Sequence, residues 1–335
     1  MIRYRLIITT ILIAICSASC AFVFGKEDSG VLSPSDKQLR LNYVETLRNQ
    51  ASLRGEGFRD VMLTAGTPTT LQRPNSVFAD PFRVYVTDQT QPARVFIFDR
   101  GDRTANVLAV PAPPAEGKLL NPMSIAVDSV NVIYVADAQQ GRVFGYDRSG
   151  ALLLSFGKTG DLTHPTGIAI DKRRNRIYIA DSHAHLVKTF STMGDSLFDI
   201  GGDGNADQRI KSPTAIALDQ TGQIYVLDSN SKRVFLYNAD GKFLNKFPLS
   251  RGTPGDSLRP KGIAVDSEGH VYVSDSVNNN ILIFGSDGSF LMSWGKTGTL
   301  AGDFWTPQGI FIDERDTIYI ADQTNGRVQV YQFIK

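Results

Sequence analysis

Pro165-Thr166-Gly167-Ile168-Ala169-Ile170-Asp171 is a short apolar run opened by a proline and closed by an aspartate, and Tyr178 centres a second such run that closes on Asp181. Both are too short for an ordinary helix, and turn residues bound them. Both are also apolar on successive positions instead of alternating, so each reads as a β-strand buried on two faces. Outward from this pair the pattern recurs five more times, at 74–80, 122–128, 213–219, 260–266 and 307–313. The central tyrosines of the second runs are Tyr85, Tyr134, Tyr225, Tyr272 and Tyr319, and the closing aspartates are Asp88, Asp137, Asp228, Asp275 and Asp322. The six opening prolines stand 48, 43, 48, 47 and 47 residues apart, the period of a four-stranded propeller blade.

A third strand follows in each repeat, seen in Arg94-Val95, Arg142-Val143, Leu186-Val187, Arg233-Val234, Ile281-Leu282 and Arg327-Val328. The combination P-x-G-I-A-V-D, then I-Y-V-A-D, then R-V resembles the NHL repeat, over residues 57–335. The resemblance implies an all-β fold, a six-bladed β-propeller. Two residues after each proline stands Ser76, Ser124, Gly167, Ala215, Gly262 or Gly309, all small, as innermost strands converging on a central channel require. The last repeat reaches Lys335 without a fourth strand, while residues 58–66 resemble the fourth-strand stretch Leu152-Leu153-Leu154-Ser155-Phe156-Gly157. An N-terminal strand is therefore expected to complete the C-terminal blade and remove an open edge, with residues 57–66 as the segment that does so.

The first 25 residues are of another kind. Arg3 and Arg5 precede twenty uncharged residues, and Ser17-Ala18-Ser19-Cys20 places small residues before a cysteine, which resembles a bacterial lipobox. Lipidation at Cys20 and an uncleaved membrane anchor are the two leading readings, with plain secretion the third. The first two predict an extracytoplasmic, membrane-anchored protein, in the periplasm or at the cell surface, because the positive residues lie ahead of the apolar run. Residues 26–56 read as a tether with a possible short helix, since Leu39, Tyr43, Leu47 and Ala51 recur every four positions. Cys16 and Cys20 are the chain's 2 cysteines, so the propeller body has no disulfide to rely on. A formal net charge of +1 gives no bulk attraction to a polyanion, and together with the export signal it argues against nucleic acid as a partner.

Repetition itself separates scaffold from site: a residue present in every blade serves the blade, and chemistry needs asymmetry. The strand-end aspartates are expected to cap turns, and the repeated arginines to brace loops. Gly-Lys-Thr-Gly at 157–160 and 295–298 lacks the first glycine of a phosphate-binding loop, and the stretch from 203 lacks the glycine at position six, where Gln208 stands, and the glutamate at position twelve of a calcium loop. The symmetry-breaking residues lie in loops expected on one rim: His164, His183, His185, Arg209, Lys211, Arg259, Lys261 and Trp305. His183 and His185 could face one metal ion but have no third ligand nearby in sequence, so neither a metal nor another cofactor is expected. The reading this supports is a monomeric binding or scaffold module for a protein, peptide or glycan partner. The alternative is an enzyme, a metal-dependent lyase or hydrolase, because NHL-like propellers include amidating lyases that hold zinc through histidines of separate blades. The 4 histidines here do not reproduce that arrangement, and no catalytic residue is assigned.

Overall fold

The computed structural model describes residues 40–49, 52–53, 70–110, 116–157, 160–202, 207–251 and 257–334. Cys20, the apolar N-terminal segment and residues 57–66 lie outside them. The described strands form six four-stranded antiparallel sheets arranged as the blades of a propeller. In blade 3 the order from channel to periphery is Pro165–Asp171, Arg176–Asp181, Leu186–Ser191 and Ser196–Ile200. Each innermost strand begins at one of the six prolines, where the missing N–H costs nothing because the strand pairs on one side only.

The ring closes as expected in kind but with a different segment. Arg40–Leu47 is a strand that pairs antiparallel with Arg327–Ile334, outermost in the sheet whose other members are Thr317–Asp322 and Pro307–Ile312. These residues belong to the stretch expected to be a tether with a short helix. The four-residue spacing of Tyr43 and Leu47 misleads because a β-bulge at Val44 changes the parity of the strand. Before the bulge, Leu41 opposite Phe333 and Tyr43 opposite Tyr331 share one face, and Leu41 packs toward Trp294 and Ile281 of blade 5. After it, Leu47 opposite Val328 faces the other way, against Val84 and Val86 of blade 1. Glu45 adds an ion pair to Arg100 of blade 1 at 2.7 Å, and Arg100 also donates to the Tyr319 hydroxyl at 2.8 Å.

The repeated tyrosines are buried in the blades, and a buried phenol needs a partner. In five blades that partner is the aspartate ending the innermost strand: Tyr85 to Asp80 at 3.0 Å, Tyr134 to Asp128 at 3.2 Å, Tyr225 to Asp219 at 3.5 Å, Tyr272 to Asp266 at 3.0 Å and Tyr319 to Asp313 at 3.1 Å. Blade 3 differs, since Tyr178 donates to the Ala239 carbonyl at 3.1 Å while Arg174 pairs with Asp171 at 2.8 Å. Burial first, and the Asp80 carboxylate second, push the Tyr85 hydroxyl up to about 12, so it serves as a donor and not as an acid. Around the channel the strands approach closely where the sequence allows it: a Cβ on Gly309 would stand 2.8 Å from the Asn75 carbonyl oxygen, and one on Gly262 would stand 2.7 Å from that of Gln308.

Candidate functional site: the loop face and the channel mouth

The six aspartates ending the second strands are all fully buried, and each accepts N–H groups from two loops at once. Asp181 accepts from Thr163 N at 2.6 Å and His164 N at 2.9 Å, in the loop leading to Pro165, and from Ala184 N at 3.1 Å, in the turn toward the third strand. Asp88 does the same with Gln72, Arg73 and Thr90 at 2.9, 3.2 and 2.9 Å. These contacts put both loop types on one face of the propeller. The repeated arginines brace that face as expected: Arg327 donates to the carbonyls of Thr299, Leu300 and Asp303 at 2.7 to 2.9 Å.

Seven of the eight sequence-selected residues fall in two sectors of the rim, and the eighth, Lys261, lies at the channel mouth. In blades 3 and 4, His164 and His183 stack with ring centroids 4.3 Å apart, and His164 Nδ1 meets the Ser182 hydroxyl at 3.0 Å. Burial, and then the neighbouring His183, hold the His164 imidazole below its ordinary pKa. His185 turns away, its Nδ1 against the Lys211 carbonyl, so the adjacent pair His183 and His185 does not converge. Among the described residues no three His, Cys, Asp or Glu side chains cluster closely enough to hold a metal. Arg209 and Lys211 are exposed and share a cleft of about 260 Å³ with Ser231, Arg233 and Asp207, the last paired with Lys246.

In blades 5 and 6, Trp305 is 47% exposed although its N–H is fixed on Asp322 at 2.7 Å. Thr306 follows with φ +54°, a left-handed conformation that a β-branched residue rarely adopts, and costing about 1–3 kcal/mol. In blades 1, 2, 3 and 5 the residue before the proline (Arg73, Asn121, His164, Arg259) donates its N–H to the strand-end aspartate. Thr306 instead donates to Asn279 Oδ1 of blade 5 at 2.7 Å, and its hydroxyl meets that of Thr324 at 2.5 Å. The loop before Pro307 is therefore held through Asn279 of the neighbouring blade with Thr306 in a left-handed conformation, and it presents the tryptophan. Arg259 is exposed on the same face, in the adjoining blade.

Lys261 is not on the outer rim. It stands with Asn75, Met123, Thr166, Thr214 and Gln308 at the loop-face mouth of a channel of about 860 Å³, one residue from each blade, each immediately after its proline. Burial, then the Arg259 guanidinium, hold the Lys261 ammonium below the ordinary lysine pKa. Sequence reasoning singled out Lys261 alone of these six. The signal was available: the position after the proline is Asn, Met, Thr, Thr, Lys and Gln within an otherwise regular motif. Thr306 carried none, since a backbone torsion leaves no mark on side-chain pattern.

Residues 162–190 match the NHL repeat, and residues 259–335 match a family described as 6-bladed beta-propeller. NHL repeat-containing protein 2 of Bos taurus is 27% identical over 139 residues, 37% of this chain and 19% of that protein. The chain thus spans about a fifth of that relative's length. Among solved structures, an auxiliary nutrient binding protein from Bacteroides thetaiotaomicron superposes with TM-score 0.60 at 13% identity, covering 80% of this chain and 71% of that one. Virginiamycin B lyase from Staphylococcus aureus superposes with TM-score 0.57 at 12% identity, covering 89% and 100%. At these identities the likeness carries fold and not activity.

Proposed function

From the premise that this chain is a six-bladed β-propeller of NHL repeats, we propose that it is a binding module, tethered outside the cytoplasm to a membrane, which holds a protein, peptide or glycan partner on its loop face. The observation that carries the reading is the loop at Trp305 and Thr306. Backbone strain persists only where the surroundings enforce it, and here the strained Thr306 stands directly beside an indole that is 47% exposed. Tryptophan and arginine dominate interface energetics, and Arg259 lies on the neighbouring blade of the same face. The sector at His164, His183, His185, Arg209 and Lys211 supplies a second, cationic contact region. A propeller neighbour bearing the name of a nutrient binding protein is compatible with a binding role.

The test is capture of the partner by the full chain from membranes of the cells that make it, followed by titration of the identified partner. Trp305→Ala should weaken partner binding by about tenfold or more, and shift the melting temperature by no more than about 3 °C. Arg142→Gln, on a distant blade of the same face, should bind as the parent does. Undiminished binding by the Trp305 variant removes the indole from the interface.

The tether rests on the N-terminal sequence. Cys20→Ala should transfer the protein from the membrane to the soluble fraction. A variant retained in the membrane with its first residues intact identifies an uncleaved anchor and ends the lipid reading.

A further inference from the structure

The channel mouth differs in chemistry from the rim around it. Of its six side chains, five are neutral, and four of those have a donor committed to the scaffold. Asn75 Nδ2 donates to the Met123 carbonyl at 2.6 Å, and Gln308 Nε2 to the Thr306 carbonyl at 3.3 Å. The Thr166 hydroxyl lies 3.2 Å from the Ala180 carbonyl and 3.1 Å from that of Pro213, and the Thr214 hydroxyl donates to Leu227 O at 3.3 Å. What the mouth retains is the acceptor capacity of Asn75 Oδ1 and Gln308 Oε1, the second N–H of each of those amides, and one ammonium.

That ammonium is out of keeping with a merely structural role. A lysine drawn partly out of water ordinarily has a carboxylate beside it. The charge nearest in effect to Lys261 is another cation, Arg259, and among the described residues no carboxylate pairs with it. Low-dielectric walls around an uncompensated charge focus its field into the channel. A channel of about 860 Å³ is within the range of small-molecule sites.

We propose that the channel mouth binds a small hydroxylated carboxylate, with its carboxylate on Lys261 Nζ and its hydroxyls donating to Asn75 Oδ1 and Gln308 Oε1. This goes beyond partner capture on the rim and does not depend on it, since Trp305 takes no part.

Calorimetric titration of the full chain in low-chloride buffer tests it, with sodium D-gluconate and sodium D-glucuronate as probes and D-glucose and sodium acetate as controls. At least one of the two acids should bind saturably at one site, and glucose should not bind. Lys261→Met should weaken that binding about tenfold or more, whereas Lys261→Arg should retain it within about threefold. Gln308→Leu should weaken it without altering the charge. Because the lysine has no counter-ion among the described residues, Lys261→Met should melt no lower than the parent, and Lys261→Gln serves if the Met variant fails to fold. Trp305→Ala should leave acid binding unchanged, which keeps this result separate from the rim test. Failure of both acids to saturate, equal binding of acetate or glucose, or undiminished binding by the uncharged Lys261 variants would each overturn the proposal.

Discussion

Removal of residues 1–49 should lower the melting temperature by about 6–8 °C relative to removal of residues 1–39, although the two truncations differ by only ten residues. Those ten contain Arg40–Leu47, which pairs with Arg327–Ile334 along seven register positions. Leu47 is fully buried, and its loss forgoes about 2 kcal/mol of apolar burial. Leu41 and Tyr43 also leave the surface of Phe333, Tyr331 and Trp294, and the Arg100–Glu45 pair is lost. Together with the bared edge of the last strand, about 4–5 kcal/mol is at stake, which a chain of this size reads as a fall of about 6–8 °C. Addition of a peptide spanning residues 40–49 should restore part of the loss. Equal melting of the two truncations would sink the closure argument.

The second large effect is at Asp322. Its buried carboxylate accepts from Arg327 Nε at 2.7 Å, Asn325 Nδ2 at 2.8 Å, Gln329 Nε2 at 3.2 Å and Trp305 N at 2.7 Å. The Arg327 side chain is only 4% exposed, so Asp322→Ala strands a guanidinium in the protein interior, at a cost of about 3–5 kcal/mol. Asp181→Ala removes the equivalent carboxylate in blade 3, where the partners are N–H groups and the Thr163 hydroxyl and no cation is left behind. It should cost about 2 kcal/mol. Denaturant titration of both variants, and of Asp322→Ala combined with Arg327→Leu, separates the two contributions. The double variant should recover part of the stability lost by Asp322→Ala alone. If Asp322→Ala costs no more than Asp181→Ala, the stranded-charge account is wrong.

The Asp181 variant also has a pH signature. Burial would raise the Asp181 carboxyl, but the Thr163 hydroxyl and the N–H groups of Thr163, Ala184 and His164 outweigh it and hold the pKa below the ordinary 3.8. A carboxyl depressed on folding contributes stability that is fully present above its unfolded value and is lost as pH falls through the lower folded value. The gap between parent and Asp181→Ala should therefore be constant near neutrality and narrow below about pH 4.

Architecture was legible because each blade repeats the same local problem. A proline opens the innermost strand, a small residue two positions on admits the neighbouring strand, a tyrosine fills the blade, and an aspartate ends each of the first two strands. Six copies in phase outvote any local ambiguity. Where there was a single copy, periodicity failed: residues 40–47 carry helix-like spacing but form a strand, because the bulge at Val44 sends Tyr43 and Leu47 to opposite faces. Part of the site was legible by the same logic. Trp305, Arg259 and Lys261 stood out as departures from the repeat, and the structure brings them to one face at blades 5 and 6.

By itself, the sequence determined the number of blades, the order of their strands, the residues that hold them and the positions at which the repeat is broken. All of these are local patterns multiplied by six, and short-range spacing encodes them fully. Only the tertiary structure decided which N-terminal segment closes the ring, that Lys261 lies in the channel without a counter-ion among the described residues while Arg259 stays exposed, and that Thr306 is turned out of the pattern beside Trp305. Those depend on what distant blades place opposite each other: Phe333 across from Leu41, Asn279 across from the Thr306 N–H, and a channel rather than a described carboxylate across from Lys261. Packing between residues far apart in the chain leaves no periodic trace in either partner.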